Sequence, residues 1–211
     1  MIGSEEEARA FVAARCQSES LIALDRLVER LRDENERQNL VSTASLGAVW
    51  QRHIADSAQL LDHVPRETGD KPWLDLGTGA GFPGLVIAAM RPDREVVLVE
   101  SRRRRVEWLN EAIQALQLPN CSVRGERLEA VSSFPVGVIS ARAFAPLPKL
   151  LTLAQRFSTS DTAWLLPKGR SAEQEVTELP PRLRKLFHVE QSATDADSGI
   201  VVGRGIVSSE A

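Results

Sequence analysis

One stretch constrains this chain more than any other: Trp73-Leu74-Asp75-Leu76-Gly77-Thr78-Gly79-Ala80-Gly81-Phe82-Pro83-Gly84. A short apolar run, predicted as a strand, ends at Asp75. A glycine-rich turn follows, then Pro83 and a helical run through Leu85, Val86, Ile87 and Met90. Strand, glycine turn and helix together present backbone N–H groups and a helix N-terminus to a nucleotide-like ligand. Pro83 suits the first helical turn, where a missing N–H costs nothing.

The identity of the ligand turns on spacing. A dinucleotide fingerprint needs Gly-x-Gly-x-x-Gly. Gly77 and Gly79 fit it, but Phe82 occupies the third position. The spacing Gly77-x-Gly79-x-Gly81 after an acidic strand end looks like the S-adenosylmethionine (SAM) loop of class I methyltransferases. Glycine turns that merely join a strand to a helix have the same form. The next run, Arg94 to Glu100, is apolar and β-branched and ends in an acid about 20 residues beyond the loop. A carboxylate there can accept ribose hydroxyls. It can equally cap the following helix. Loop and acid together favour a nucleoside site without separating SAM from NAD.

From Pro72 onward strands and helices alternate, with strands expected near 72–76, 95–100, 121–124, 136–141 and 162–167. That alternation implies a parallel sheet covered by helices on both faces. Residues 186–191 and 199–207 read as two more strands with no helix between them, an antiparallel edge hairpin. The fold class is therefore α/β, Rossmann-like. Residues 1–65 read as an N-terminal helical extension and 72–208 as the ligand-binding domain, divided by the polar linker 65–71. In the extension, Ser4-Glu5-Glu6-Glu7 has the form of a capping box, starting a helix that runs to about Arg15. Leu21, Leu24, Leu27, Val28 and Leu31 recur at helical spacing in a second helix. A third is expected from about Leu46 to Leu61, carrying Trp50, His53, Asp56 and Ser57. Ser101 is the expected N-cap of the helix after Glu100. The run Arg102–Arg105 opposes that helix's dipole, which points to phosphate contact or a solvated cluster.

The N-terminus is acidic and lacks the form of a secretion signal. No apolar run approaches the ~20 residues of a membrane span. A cytoplasmic protein is expected. Cys16 and Cys121 form no ligand cluster, so neither a metal site nor a disulfide framework is expected. Net charge is −3, which argues against broad nucleic-acid binding but leaves room for a local basic face.

Four further segments carry a resemblance. Trp50, His53, Asp56 and Ser57 form a W..H..DS pattern. Arg127-Leu128-Glu129 follows the third strand, Ser140-Ala141-Arg142-Ala143-Phe144-Ala145-Pro146 the fourth, and Leu166-Pro167-Lys168-Gly169 closes the fifth. With the glycine loop, in order and at matching spacing from about Asn39 to Val202, the chain resembles the RsmG (GidB) family. These are bacterial methyltransferases that modify a guanine at N7 in small-subunit (16S) ribosomal RNA.

The resemblance implies SAM as cofactor, no metal, and 16S rRNA or a small-subunit precursor as partner, with the chain acting as a monomer. Gly77, Gly79, Gly81 and Phe82 would line the methionine and ribose of SAM. Glu100 would take the ribose hydroxyls, and Leu128 and Glu129 the adenine. Arg142 would lie by the cofactor and the incoming base as the catalytic arginine. His53, Arg127 and Lys168 would sit toward the RNA, and Phe144 could stack on an extruded base. The chain departs from the family before its last strand, where Asp197-Ser198-Gly199 replaces the usual basic residues.

The chemistry fits independently. Guanine N7 carries a lone pair and no proton, so its methylation needs alignment rather than a general base. The motifs of exocyclic-amine and cytosine-C5 methyltransferases are missing from the sequence. An arginine gripping O6 and N7 together would block the nucleophile, so Arg142 should contact O6, a phosphate or the SAM carboxylate. Three alternatives stand beside this reading: a SAM-dependent enzyme acting on a small molecule or protein, a non-catalytic RNA-binding assembly factor, and an NAD(P) oxidoreductase. Phe82 and the absence of a Tyr-x-x-x-Lys pair disfavour the last.

Overall fold

The computed structural model describes residues 1–207; residue 208, the expected end of the ligand-binding region, lies outside them. A seven-stranded sheet organises the molecule, in the order β3-β2-β1-β4-β5-β7-β6. Its strands are β1 (Trp73–Leu76), β2 (Val96–Val99), β3 (Cys121–Arg124), β4 (Val138–Ala141), β5 (Ala163–Lys168), β6 (Phe187–Gln191) and β7 (Gly199–Arg204). The first five are parallel. β7 runs antiparallel between β5 and β6, so the expected hairpin closes the sheet with β6 at the edge.

Side chains alternate across the sheet with the period of two that a strand dictates. Trp73, Val96, Leu98, Ala163 and Leu165 point into one core. Leu74, Leu76, Val97, Val99, Trp164 and Leu166 point into the other. Continuous apolar runs are what a sheet covered on both faces requires.

The first core is roofed by α1 (Glu5–Ala13), α2 (Ser18–Asn35), α5 (Gly84–Met90) and α6 (Arg103–Leu116). Leu24, Leu27 and Leu31 on α2 are fully buried there, each worth about 1.5–3 kcal/mol of transfer free energy. The second core lies under α7 (Leu147–Ala154) and α8 (Ala172–Thr177), with α9 (Pro181–Arg184) beside β6.

Three local expectations are corrected. α1 stops at Ala13, two residues short of Arg15. The expected helix over 46–61 is a broken path: α3 (Thr43–Leu46), a wide π turn over Trp50–Ala55, α4 (Asp56–Ala58), then a 3-10 turn over Gln59–His63. The cause is a distant side chain. The Glu5 carboxylate accepts the N–H groups of Trp50 at 3.0 Å and Gln51 at 2.8 Å, which removes them from the helical ladder. Ser101 does not cap α6. No side chain caps it; Glu100 Oε1 instead holds the turn before the helix, accepting from the N–H of Ser101 at 2.8 Å and of Arg102 at 2.9 Å.

The arginine run has a use the sequence did not suggest. Arg104 donates to the Arg37 carbonyl at 3.0 Å, and Arg105 to those of Asn39 and Leu40. These carbonyls lie just past the C-terminal end of α2, where a helix leaves acceptors without internal partners. Arg103 pairs with Glu107 on its own helix.

Candidate active site

The site begins at the carboxyl end of β1, where the strand order reverses between β1 and β4. A crevice at such a switch point is where open α/β sheets bind ligands. Gly77, Gly79 and Gly81 all take positive φ, at 62°, 58° and 105°. At Gly77 room is short as well: a Cβ there would lie 2.4 Å from the Phe144 ring.

Buried polar groups pin the loop from below. Asp75 is completely buried. Its Oδ2 accepts from the Gly84 N–H at 3.0 Å and its Oδ1 from the Ser140 hydroxyl at 2.7 Å. Ser140 in turn accepts from the Trp73 indole. Burial pushes the Asp75 pKa up to about 6, against the hydrogen bonds it accepts. The Trp108 indole on α6 donates to the Ala80 carbonyl at 3.0 Å. Sequence reasoning gave Asp75 and Trp108 no such task.

Glu100 lies at the end of β2, only 4% exposed. Burial would raise its pKa, but hydrogen bonds from the Arg102 backbone and side chain outweigh that, and the carboxyl sits below its usual range. Oε1 is committed to the Ser101 and Arg102 N–H groups in the turn before α6. Oε2 has a single long contact, 3.4 Å to Arg102 Nη2, which leaves it able to accept a ligand hydroxyl. Of the two sequence readings of Glu100, the helix cap is not formed. Beyond β3, a short turn over Leu128–Ala130 buries Leu128 and exposes Glu129, and Arg127 is exposed before it.

Arg142 follows β4 and is held from the N-terminal segment. Nη1 donates to Asp56 Oδ2 at 3.3 Å and to the Arg52 carbonyl at 3.2 Å. Nη2 lies 3.0 Å from His53 Nδ1. A guanidinium can only donate, so Nδ1 accepts and the imidazole proton sits on Nε2. The His53 ring stacks on buried Phe82, centroids 4.8 Å apart and 15° from parallel. Burial, reinforced by Arg142 and Arg52, lowers the His53 pKa to about 3. Its Nε2 is buried with no hydrogen-bond partner among the described residues.

Asp56 spreads this network further. Its Oδ1 accepts from Gln59 at 2.9 Å and from Thr194 Oγ1 at 3.0 Å, in the turn between β6 and β7. The sequence displayed Asp56 within the W..H..DS pattern, one helical step from His53, without revealing that it anchors Arg142.

A cleft of about 820 Å³ opens beside these residues, lined among others by Arg52, His53, Asp56, Arg142, Phe144 and Lys168. The glycine loop, Glu100 and Leu128 are not part of its wall. Phe144 faces both compartments: it closes on Gly77 on one side and lines the cleft on the other. Lys168 is largely buried, its ammonium 2.9 Å from Glu175 Oε2 and 3.1 Å from the Ala145 carbonyl. The structure therefore brings His53, Phe82, Arg142 and Phe144 together and Lys168 to the same cleft, while Arg127 and Glu129 stand apart on the surface after β3. No cluster of three metal-ligating side chains occurs among the described residues. No helix among them is long and apolar enough to cross a membrane.

Comparison with known proteins adds four findings. The family model described as rRNA small subunit methyltransferase G matches residues 20–199. A ribosomal RNA small subunit methyltransferase G from Erythrobacter litoralis is 64% identical over 205 residues, 97% of this chain and 98% of the relative. Among solved structures, a SAM-dependent methyltransferase from Aquifex aeolicus superposes with a TM-score of 0.56 at 19% identity, covering 82% of this chain and 98% of that one. A variant of MtNAS solved in complex with S-adenosylmethionine gives a TM-score of 0.54 at 13% identity, covering 96% and 84%.

Proposed function

The chain belongs to the rRNA small subunit methyltransferase G family, a SAM-dependent methyltransferase by that membership, and from this premise we propose that it methylates N7 of a guanine in 16S ribosomal RNA. Bound SAM supplies an electrophilic methyl group. The residues present fit that cofactor: within the positive-φ loop, the space beside Gly79 is open for close approach, and Glu100 Oε2 retains the capacity to take ribose hydroxyls. Gly77, Gly79, Gly81 and Phe82 would hold the methionine and ribose end, Leu128 and Glu129 the adenine. Phe144, at the boundary of the two compartments, stacks on the target base. Arg142 orients base and cofactor. His53 holds Arg142, and Lys168 shapes the cleft through Glu175. Arg127 contacts RNA outside it.

One observation carries the choice of atom. The residues held around Arg142 include no free neutral base. The enclosed carboxylates of Asp56 and Glu175 are each held by a cation. The only lone pair of neutral His53 is taken by Arg142. Methylating an amine or hydroxyl requires a proton acceptor; methylating N7 does not. The protein acts as a monomer, in the cytoplasm, on 16S rRNA or a small-subunit precursor.

The test is incubation with labelled SAM and small ribosomal particles from cells lacking this protein, followed by mapping of the modified base. N7-methylguanosine at one position is the expected product. A methyl group on an exocyclic amine or a ribose hydroxyl would defeat the proposal, as would transfer to protein alone.

A further inference from the structure

The cations around the cleft fall into two kinds. Arg142 and Lys168 are shielded, with side chains 24% and 11% exposed, and their carboxylate partners are comparably enclosed. Separating such pairs would strand a buried charge. The two at the mouth differ. Arg52 Nη1 lies 2.7 Å from Asp195 Oδ2, and Arg170 Nη2 lies 2.6 Å from Asp197 Oδ2. The Arg52 and Arg170 side chains are 49% and 81% exposed, and their partners Asp195 and Asp197 are 27% and 60% exposed. Pairs this exposed contribute little to stability and exchange partners readily.

Both acids belong to the single turn joining β6 to β7, and both arginines flank the cleft. Arg52 lines it directly, while Arg170 sits between Gly169 and Ser171, which do. The turn holds its own shape. Asp195 Oδ1 accepts the Asp197 N–H at 3.0 Å, and the Gln191 amide donates to the carbonyls of Asp195, Ala196 and Ser198. The Asp197 N–H bond and Arg52 keep the Asp195 carboxyl below its usual range. The turn thus offers two carboxylates to two forked donors whose geometry suits a phosphate equally well. The Arg52 carbonyl, meanwhile, accepts from Arg142, which ties this rim to the methyl-transfer site.

We infer that Arg52 and Arg170 bind the RNA phosphates flanking the target guanine, and that Asp195 and Asp197 occupy them as phosphate surrogates in the RNA-free protein. The inference rests on the ribosomal RNA reading above. It also accounts for Asp197-Ser198-Gly199: an acidic turn is compatible with RNA contact when the cations come from across the cleft. RNA then binds by carboxylate-to-phosphate exchange, and the acidic turn makes the protein selective against weakly held polyanions.

The test measures affinity for small ribosomal particles from cells lacking this protein, across a salt series, for the wild type and five variants. Arg52→Gln and Arg170→Gln should each weaken binding about fivefold, the effect of one exposed charge contact, and flatten the log–log salt slope by about 0.7. Arg52→Lys should restore the slope. Asp195→Asn keeps an oxygen for the Asp197 N–H, and with Asp197→Asn it should tighten binding by a similar factor. SAM affinity should hold throughout. If Asp195→Asn and Asp197→Asn lower the melting temperature and leave binding unchanged or weaker, the pairs are structural latches and the inference falls. If the wild-type protein binds SAM but not the particles, the ribosomal RNA reading falls with it.

Discussion

Replacing His53 by Gln should change how the stability of this protein responds to acid. In the fold His53 titrates at about 3, against an ordinary 6.5, because it is buried and faces Arg142 and Arg52. Below pH 6.5 the unfolded chain takes up a proton that the folded chain refuses. Unfolding therefore gains about 1.4 kcal/mol for each pH unit of acidification, down to about pH 3. The contribution is fully present above 6.5 and is lost on the way down. At pH 4.5, two units below the unfolded value, the loss is about 2.7 kcal/mol. Asp75 works in the opposite sense: its folded pKa of about 6 lies above the ordinary 3.8. Between about pH 6 and 4 the folded chain binds the extra proton and acidification stabilises it, by roughly 2 kcal/mol at pH 4.5. The two effects largely cancel in the wild type. Gln can still accept from Arg142 and does not titrate, so the variant loses the His53 response while keeping that of Asp75. Urea unfolding of both proteins from pH 7 to 4.5 isolates His53, because all other groups cancel in the difference. The stability of the wild type relative to His53→Gln should fall by about 2.7 kcal/mol over that range. A difference that stays level with pH would mean that His53 titrates normally in the fold, and that the neutral, Arg142-bound imidazole is wrong.

Three further outcomes follow from the geometry. Gly77→Ala forces a Cβ into the Phe144 ring and a side chain into the left-handed region, which costs ~1–2 kcal/mol; calorimetry should show weakened SAM binding, and wild-type affinity would dismiss the loop as the cofactor cradle. Glu100→Gln keeps an acceptor for the Ser101 and Arg102 N–H groups but removes the charge, so SAM affinity should drop by about 1.5–3 kcal/mol with little change in melting temperature; full affinity would leave Glu100 only holding the turn before α6. In single-turnover methylation with saturating RNA, Arg142→Ala should slow transfer ~100-fold through misplacement, Arg142→Lys should recover only part of it, Asp56→Asn should fall between, and His53→Gln should retain much of the rate; a dead His53→Gln beside an active Arg142→Ala would overturn the N7 assignment.

How much of this was readable in advance follows a physical line. The strands were legible because continuous β-branched runs such as Val96–Val99 have one use in a chain of this kind. The glycine loop was legible because positive φ restricts residue choice at each position. Features set by distant partners were not. Nothing near Trp50 indicates that Glu5 will take its N–H. Nothing near Arg104 and Arg105 reveals carbonyls 65 or more residues away. Ser101 lies one residue before the N-cap position, which Arg102 takes, and its own N–H is held by Glu100. In the candidate site the same division holds. Gly77 and Arg142 stood out as residues, while their dependence on Phe144 and Asp56 became visible only when β4 and the N-terminal segment met.

The position of β7 bears on how the protein comes into being. The strand that completes the sheet enters between β5 and β6, both made before it. A growing chain that ends before residue 199 therefore holds β5 with one flank bare and β6 with no partner at all. Such a chain exposes backbone donors and acceptors that invite pairing with other chains. The Ile2 N–H, bonded to the Ala193 carbonyl, waits on the same event. Synthesis and closure are thereby linked: the cleft wall built from residues 192–199 and the last sheet contacts arise together.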